Sequence, residues 1–472
     1  MNEPDETGAL PLDAAQLAGA GRHPATPFRI ALADGREVLF LRALRVLPGR
    51  RIVGEARFSG APALAKLYVG KGSERHWQRE LAGIGRLREA DIPTPPLLAA
   101  DACAGGGRAI LSAFLENAER LDERLARCAD AYAQQATLRP ALALIGRLHA
   151  AGLEHHDLHF GNLLFDGDTL SLIDGDAVAP LTAGHAAIDN LALFLGQMNA
   201  RQDASWPGLL AAYTAAGGPA CDMAALATAV AAVRARRLAD YLKKSTRDCS
   251  LFAVQKTPRR FIACRREHEE TLRPLLDAPD SLLARGILLK DGATCTVVRI
   301  EVAGRALVVK RYNLKNTGHA LGRLFRPSRA WHSWHEGLHL RFLGLPTPEP
   351  LAMIEERIGP LRRRAWLITE HCAGVGLDRH LDAAAPPPAA EAQALKMLFA
   401  ALYRERLTHG DLKATNLLWD GQSLQLIDLD GMTRHRTEAA FARAWRRDRA
   451  RLLRNWPEGS ALHAWLAREI PA

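Results

Sequence analysis

The sequence predicts an α+β fold present twice in tandem, each copy a small β-rich N-lobe followed by a compact helical C-lobe. Two observations carry this expectation: an internal repeat the size of a domain, and the same order of strands before helices in both halves. The composition, 48% hydrophobic and 24% charged, is that of a globular chain, and 472 residues exceed what one core ordinarily serves.

The repeat sets the organisation. His155 to Asp176 reads HHDLHFGNLLFDGDTLSLIDGD and His409 to Asp430 reads HGDLKATNLLWDGQSLQLIDLD, 13 identities in 22 ungapped positions at an offset of 254. Upstream, IPTPPLLA from Ile92 and LPTPEPLA from Leu345 stand 253 residues apart. A register kept over that span marks a duplicated domain, not a short solenoid unit. Met223 to Lys244 has helical periodicity and ends basic, and STRDCS breaks the pattern after it. The domains are therefore expected at 1–250 and 251–472.

The elements follow in order. Thr296 to Val302 and Ala306 to Tyr312 alternate around Gly304 as a hairpin does. Ser328 to Leu343 reads as a helix, Ala365 to Glu370 as a strand, and Glu391 to Glu405 as an amphipathic helix entering the repeated motif. Within the motif, LLFDGDTLSLI and LLWDGQSLQLI each read as two short strands about a turn, which returns both ends of the segment to one place.

Composition narrows the class. The N-terminal stretch MNEPDETGALPLDAAQ is acidic, without the basic and apolar regions of a secretory signal, and no apolar run reaches the ~18 residues of a spanning helix. A cytoplasmic protein is expected. The seven cysteines are scattered without a CxxC pair, which points to reduced thiols and away from zinc. The net charge is +10, and residues 251–472 hold 35 Lys and Arg against 24 Asp and Glu, so the basic character belongs to the second half. Such a field favours an anionic partner: a phosphorylated substrate, an anionic membrane surface or a nucleic acid. No aromatic platform or nucleic-acid motif accompanies the charge, so no nucleic acid is expected.

Each repeat supplies Asp, Asn five residues later, and a second Asp after the apolar hairpin: Asp157, Asn162 and Asp174, then Asp411, Asn416 and Asp428. Phosphoryl transfer needs such groups, because a hard cation such as Mg²⁺ takes oxygen ligands and an acceptor hydroxyl must be oriented. A lone Asp more often caps a turn. The same constellation twice in one chain is far less ordinary.

The spacing resembles the protein-kinase catalytic loop, H-x-D-L-x-x-x-N followed by a strand and a metal-binding Asp. That resemblance implies ATP and Mg²⁺ as cofactors. It assigns Asp157 and Asp411 to the acceptor hydroxyl, Asn162, Asp174, Asn416 and Asp428 to Mg²⁺, and structural roles to His155 and His409. It also implies a phosphate-binding Lys on the third strand, for which Lys66 in ALAKLY and Lys310 in ALVVKRY qualify. A Glu on the following helix should pair with that Lys. Glu80 is placed for it in the first half; aligning the Pro-Thr-Pro turns puts Ser333 there in the second, with Glu336 three residues on. Neither half has a full G-x-G-x-x-G loop, although Leu47 to Gly60 and the KDGATCT stretch (Lys290 to Thr296) occupy its place.

Neither half shows an A-P-E segment, and only 44 residues follow Asp428, which favours a small-molecule or glycan acceptor over a peptide. The second half resembles the bacterial lipopolysaccharide core kinases of the Kdo/WaaP type through LVVKRYN, RPSRAWHSW, GLPTPEPLA, HGDLKATNLLW, LIDLDGM and DRARLLRNW, spanning roughly residues 285 to 456. The first half resembles them through HHDLHFGNLL, LIDGD and IDNLALFL. The resemblance implies phosphorylation of a heptose or Kdo hydroxyl, an anionic glycolipid or sugar as substrate, and peripheral contact with the cytoplasmic face of the inner membrane. RRFIACRR (Arg259 to Arg266), GPLRRR (Gly359 to Arg364) and RAWRRDRARLLR (Arg443 to Arg454) are the candidate basic patches. Two alternatives stay open: another small-molecule kinase of the aminoglycoside-phosphotransferase kind, and one half acting as a pseudokinase scaffold.

Overall fold

The computed structural model describes residues 9–182, 186–292, 294–313, 327–359 and 361–472. Outside them lie residues 1–8 of the acidic N-terminal stretch, Ala293 in the second candidate loop, Arg326 at the head of RPSRAWHSW, and Pro360 in GPLRRR. The chain divides into two compact units, Met1–Ala235 and Arg236–Ala472. The division falls within the helix Met223–Lys244, ahead of STRDCS.

The first unit opens with β1 (Leu10–Pro11), β2 (Phe28–Ala31), β3 (Glu37–Leu47), β4 (Arg51–Phe58), β5 (Ala61–Tyr68), β6 (Leu97–Cys103) and β7 (Gly107–Ala113), one sheet in the order β1-β2-β3-β4-β5-β7-β6. In β5 the period of two sends Ala63, Ala65 and Leu67 into the core and leaves Lys66 on the opposite face. The β4–β5 turn is Ser59–Gly60, with positive φ at both residues, the geometry that suits the twist of a two-residue hairpin. The helix Ser73–Glu89 follows, and the helices Ala131–Ala150, Ala186–Leu195 and Trp206–Ala215 close around Leu142, Ile145, Leu148, Phe194 and Tyr213. Between them lie β8 (Glu119–Arg120), β9 (Leu153–His155), β10 (Leu163–Asp166), β11 (Thr169–Leu172) and β12 (Val178–Pro180). β10 and β11 form the hairpin expected after Asn162, and β9 pairs with β12, so the two ends of the motif return to one place.

The second unit repeats this plan. Its sheet comprises β13 (Phe252–Lys256), β14 (Arg260–Arg265), β15 (Ile287–Gly292), β16 (Cys295–Val302), β17 (Arg305–Tyr312), β18 (Pro350–Ile358) and β19 (Leu361–Glu370), in the order β13-β14-β18-β19-β17-β16-β15. The β16–β17 hairpin turns at Ala303–Gly304, again with φ positive at both. Ser328 caps the helix Arg329–Phe342 by accepting from Trp331 N at 3.1 Å. The helices Ala389–Arg404, Glu438–Leu453 and Ala461–Glu469 enclose β20 (Val375–Gly376), β21 (Leu407–Thr408), β22 (Leu417–Trp419), β23 (Leu424–Leu426) and β24 (Thr433–Arg434). Each unit thus has the two-lobed, protein-kinase-like α+β build that the repeat implies.

One basic segment reads differently in three dimensions. RRFIACRR forms β14, the second strand of its sheet, with Phe261, Ile262, Ala263 and Cys264 buried. Arg265 pairs with Glu267 and Glu349, and Arg266 with Asp248 and Glu269, so most of that patch is internal structure.

Candidate active sites

The repeated motif is tied together the same way in both units. His155 and His409 are buried and bond through Nε2 to the Ile173 and Ile427 carbonyls, at 3.0 and 2.8 Å, immediately before the second aspartate. Burial holds His155 neutral, lowering its pKa. Asn162 donates Nδ2 to the Asp157 carbonyl, and Asn416 to the Asp411 carbonyl, each at 2.9 Å. The Ile173 and Ile427 amides return to the Asn162 and Asn416 carbonyls at 3.0 Å. Each carboxamide nitrogen is thereby spent inward, which leaves Oδ1 as the acceptor for a cation.

Asp174 and Asp428 both adopt left-handed backbone, with φ of 69° and 63°. This conformation is uncommon outside Gly and costs on the order of 1 kcal/mol, a strain that clusters at ligand sites. Burial works against ionising Asp174, but Lys66 and Arg51 outweigh it and hold its pKa below the ordinary value. Asp428 is likewise held low against burial, by Lys310, His409 and Lys290. Both are therefore anions, and one carboxylate beside one carboxamide oxygen is a donor set that fits Mg²⁺ once phosphate oxygens join it.

The lysines differ in their company. Lys66 Nζ lies 2.5 Å from Glu80 Oε1 and 3.4 Å from Asp174 Oδ1. Glu80 is buried and also accepts the Gly175 and Asp176 amides at 3.2 and 3.0 Å. Two glycines permit this: a Cβ on Gly83 would lie 1.9 Å from the Gly175 carbonyl oxygen, and one on Gly175 would meet the Glu80 carbonyl at 2.5 Å. The helix therefore sits directly on the segment after Asp174.

In the second unit the expected partner is not the one used. Glu336 bonds His339 Nδ1 at 3.2 Å, one turn along its own helix, and Lys310 pairs instead with Asp428 and, at 3.7 Å, with Asp430. The reason is steric as well as positional. Glu336 stands where the first unit has Gly83, and Leu429 stands where it has Gly175, so the close approach is lost. Ser333, at the position of Glu80, is buried against the Tyr312 hydroxyl at 3.0 Å. Burial opposes the charge on Lys310, yet Tyr312, Asp428 and Asp430 raise its pKa above the ordinary value.

The surroundings of the first aspartate differ too. Asp157 is exposed, with His159 Nε2 at 3.6 Å. Asp411 is held by Lys413 at 2.8 Å and by Arg451. The second unit also contains a cavity of about 400 Å³ lined by Val297, Val308 and Leu418 together with Lys310, Asn416 and Asp428. That size and polarity suit a nucleotide. The candidate glycine loops are the β3–β4 turn at Gly49 and the β15–β16 connection.

Sequence reasoning did not find the residues that fix the loop from His155 or His409 to the helical lobe. Asn190 accepts the His155 amide at 3.3 Å and donates to the His155 carbonyl at 2.8 Å. Asp448 accepts the His409 amide at 2.6 Å and the Gly410 amide at 3.0 Å. Both lie in segments that carried the resemblance, IDNLALFL and DRARLLRNW.

The chain is 41% identical over 121 residues to a 3-deoxy-D-manno-octulosonic acid kinase of Stenotrophomonas maltophilia (strain R551-3), an alignment covering 25% of this chain and 45% of that protein. The chain thus spans less than half the length of that relative. Among solved structures, "WaaP in complex with acyl carrier protein" is similar at 20% identity and a TM-score of 0.30, covering 40% of this chain and 79% of that one. Vaccinia related kinase 3 follows at 12% identity and a TM-score of 0.27, covering 35% and 56%. A sequence profile of lipopolysaccharide kinases matches residues 65–213 and again 292–466, one stretch in each unit and together more than half of the chain. The chain belongs to the lipopolysaccharide kinase (Kdo/WaaP) family.

Proposed function

We propose that the chain is an ATP- and Mg²⁺-dependent phosphotransferase that phosphorylates a hydroxyl of a lipopolysaccharide inner-core sugar, heptose or Kdo. The observation that carries this reading is the second unit's cleft, where Lys310, Asn416 and Asp428 line the nucleotide-sized cavity and Asn416 bonds the Asp411 carbonyl at 2.9 Å. Lys310 would hold the phosphates in place of its present carboxylate partners. Asp411 would accept the proton of the sugar hydroxyl as its oxygen bonds to the γ-phosphorus, while the bond to the bridging oxygen breaks and ADP leaves. Lys413 is placed to offset the charge of the transferred group. When bound, Mg²⁺ would neutralise the phosphates from Asn416 and Asp428.

Among the described residues no helix is long and apolar enough to cross a membrane. A peripheral association with the cytoplasmic face of the inner membrane through exposed arginines is part of this reading. The test is incubation with ATP and deacylated inner-core oligosaccharide, alongside a panel of aminoglycosides, with products read by mass spectrometry. One added phosphate on the oligosaccharide supports the reading; phosphate on the aminoglycosides alone replaces it with the other small-molecule kinase.

A second reading, one unit serving as an inactive scaffold, is favoured by one observation: Lys310 lacks the helix glutamate that Lys66 has. Separate Asp157→Ala and Asp411→Ala variants decide it, since the scaffold's substitution leaves turnover intact.

A further inference from the structure

The helix Glu438–Leu453 of the second unit supplies more than the Asp448 clamp. Arg451, three residues beyond Asp448, sends Nη1 to Asp411 Oδ1 and to the Gly410 carbonyl at 3.4 Å. Among the described residues its Nη2 and Nε carry no hydrogen bond, and its side chain is 42% exposed. Arg447 and Arg443 precede it by one and two turns along the same side of the helix, and both are exposed. Lys413 meanwhile holds the other oxygen of Asp411 at 2.8 Å.

Both oxygens of the Asp411 carboxylate are thus held by cations. Proton transfer to that carboxylate needs no second cation. Lys413 is accounted for by the transferred phosphoryl group; Arg451 is not. The first unit makes the contrast plain. The position that follows its clamp residue Asn190 by the same three residues is Leu193, packed on the hydrophobic core. A cation with free donors, beside the aspartate that must meet the acceptor hydroxyl, is built to receive an anion on the acceptor itself.

We propose that Arg451, with Arg447 behind it, forms an anion subsite at the acceptor end of the second unit's cleft. It takes a carboxylate or phosphate carried by the acceptor glycan near the hydroxyl to be phosphorylated. The inference rests on the phosphotransferase reading and adds the acidic character of the second unit's acceptor.

The test uses the full chain and three deacylated inner-core oligosaccharides: intact, carboxyl-reduced and dephosphorylated. Affinity is measured by calorimetry, and KM and kcat where turnover occurs. The intact form should bind roughly 10-fold or more tightly than whichever form lacks the recognised anion. Arg451→Leu should abolish that difference, with the loss in KM, and Arg451→Lys should restore most of it. The inference is overturned if the native chain binds all three alike, if Arg451→Leu weakens all three equally, or if only acylated glycolipid in vesicles is bound. A chain that discriminates in binding yet transfers no phosphate sinks the phosphotransferase reading and leaves the subsite standing. Transfer without discrimination does the reverse.

Discussion

Glu80 and Ser333 occupy the same position in the two repeats, and only Glu80 reaches the lysine of its unit. The substitution changes the electrostatics of the whole cleft. In the first unit Lys66 is shared between Glu80 and Asp174; in the second, Lys310 leans on Asp428 and Asp430.

This difference predicts unequal costs. Glu80→Ala leaves Lys66 and two amides without their shared acceptor in a buried site, and should destabilise the first unit by about 3 kcal/mol. Glu336→Gln removes only a contact with His339 and should alter MgATP affinity by less than about 2-fold. Urea unfolding checks the first and calorimetry the second. A costly Glu336→Gln would return that residue to the nucleotide site.

The clamp residues should act on the catalytic loop. Asp448→Ala strands the His409 and Gly410 amides, and should cost about 2 kcal/mol of stability and lower any kcat owed to Asp411 by about 10-fold. Asn190→Ala should do the same to any kcat owed to Asp157. Steady-state kinetics of both variants, against wild type, measures this directly.

Loss of the acceptor-facing aspartate should be the largest effect. Asp157→Ala or Asp411→Ala should lower transfer by about 10² to 10⁴ in the unit that catalyses. A rate unchanged in both variants would remove these aspartates from the chemistry.

The first unit should also weaken in mild acid. His149 is buried, its ring bonded to the Tyr213 hydroxyl at 2.7 Å and to Asn190 Oδ1 at 3.0 Å. Burial lowers its pKa below the ordinary value of 6.5, against the opposing pull of Asn190 and Glu154. Below about pH 6.5 the unfolded chain therefore binds a proton that the folded chain does not, so stability present above that pH is lost as pH falls toward the folded value. Hydrogen-exchange protection of peptides from residues 141–195, corrected for the pH dependence of intrinsic exchange, should fall from pH 7.5 to 5.5, and His149→Gln should flatten that dependence.

Much of this was legible in the sequence because the repeat fixed spacing twice over. Lys66 stands within 3.4 Å of both Glu80 and Asp174, Asn162 bonds the Asp157 carbonyl, and Asn416 and Asp428 line one cavity. What was not legible depended on contacts without a fixed spacing. Asn190 lies 35 residues after His155, while Asp448 lies 39 after His409. Residue type and offset both change, so no pairwise comparison of the halves reveals the shared role. Glu336 misled because helical spacing locates a face but not the neighbour it meets, and the neighbour it meets is His339. The basic run around β14 looked like surface because charge is visible in a sequence and the carboxylates that neutralise it are distant.

The central claim is that this chain gathers oxygen ligands for a magnesium nucleotide. Calorimetric titration of the full chain with ATP, with and without Mg²⁺, tests it most directly. Saturable heat is expected that requires the cation and disappears in the Asp174→Asn, Asp428→Asn double variant. No heat in the native chain, or heat that survives both substitutions, would contradict it.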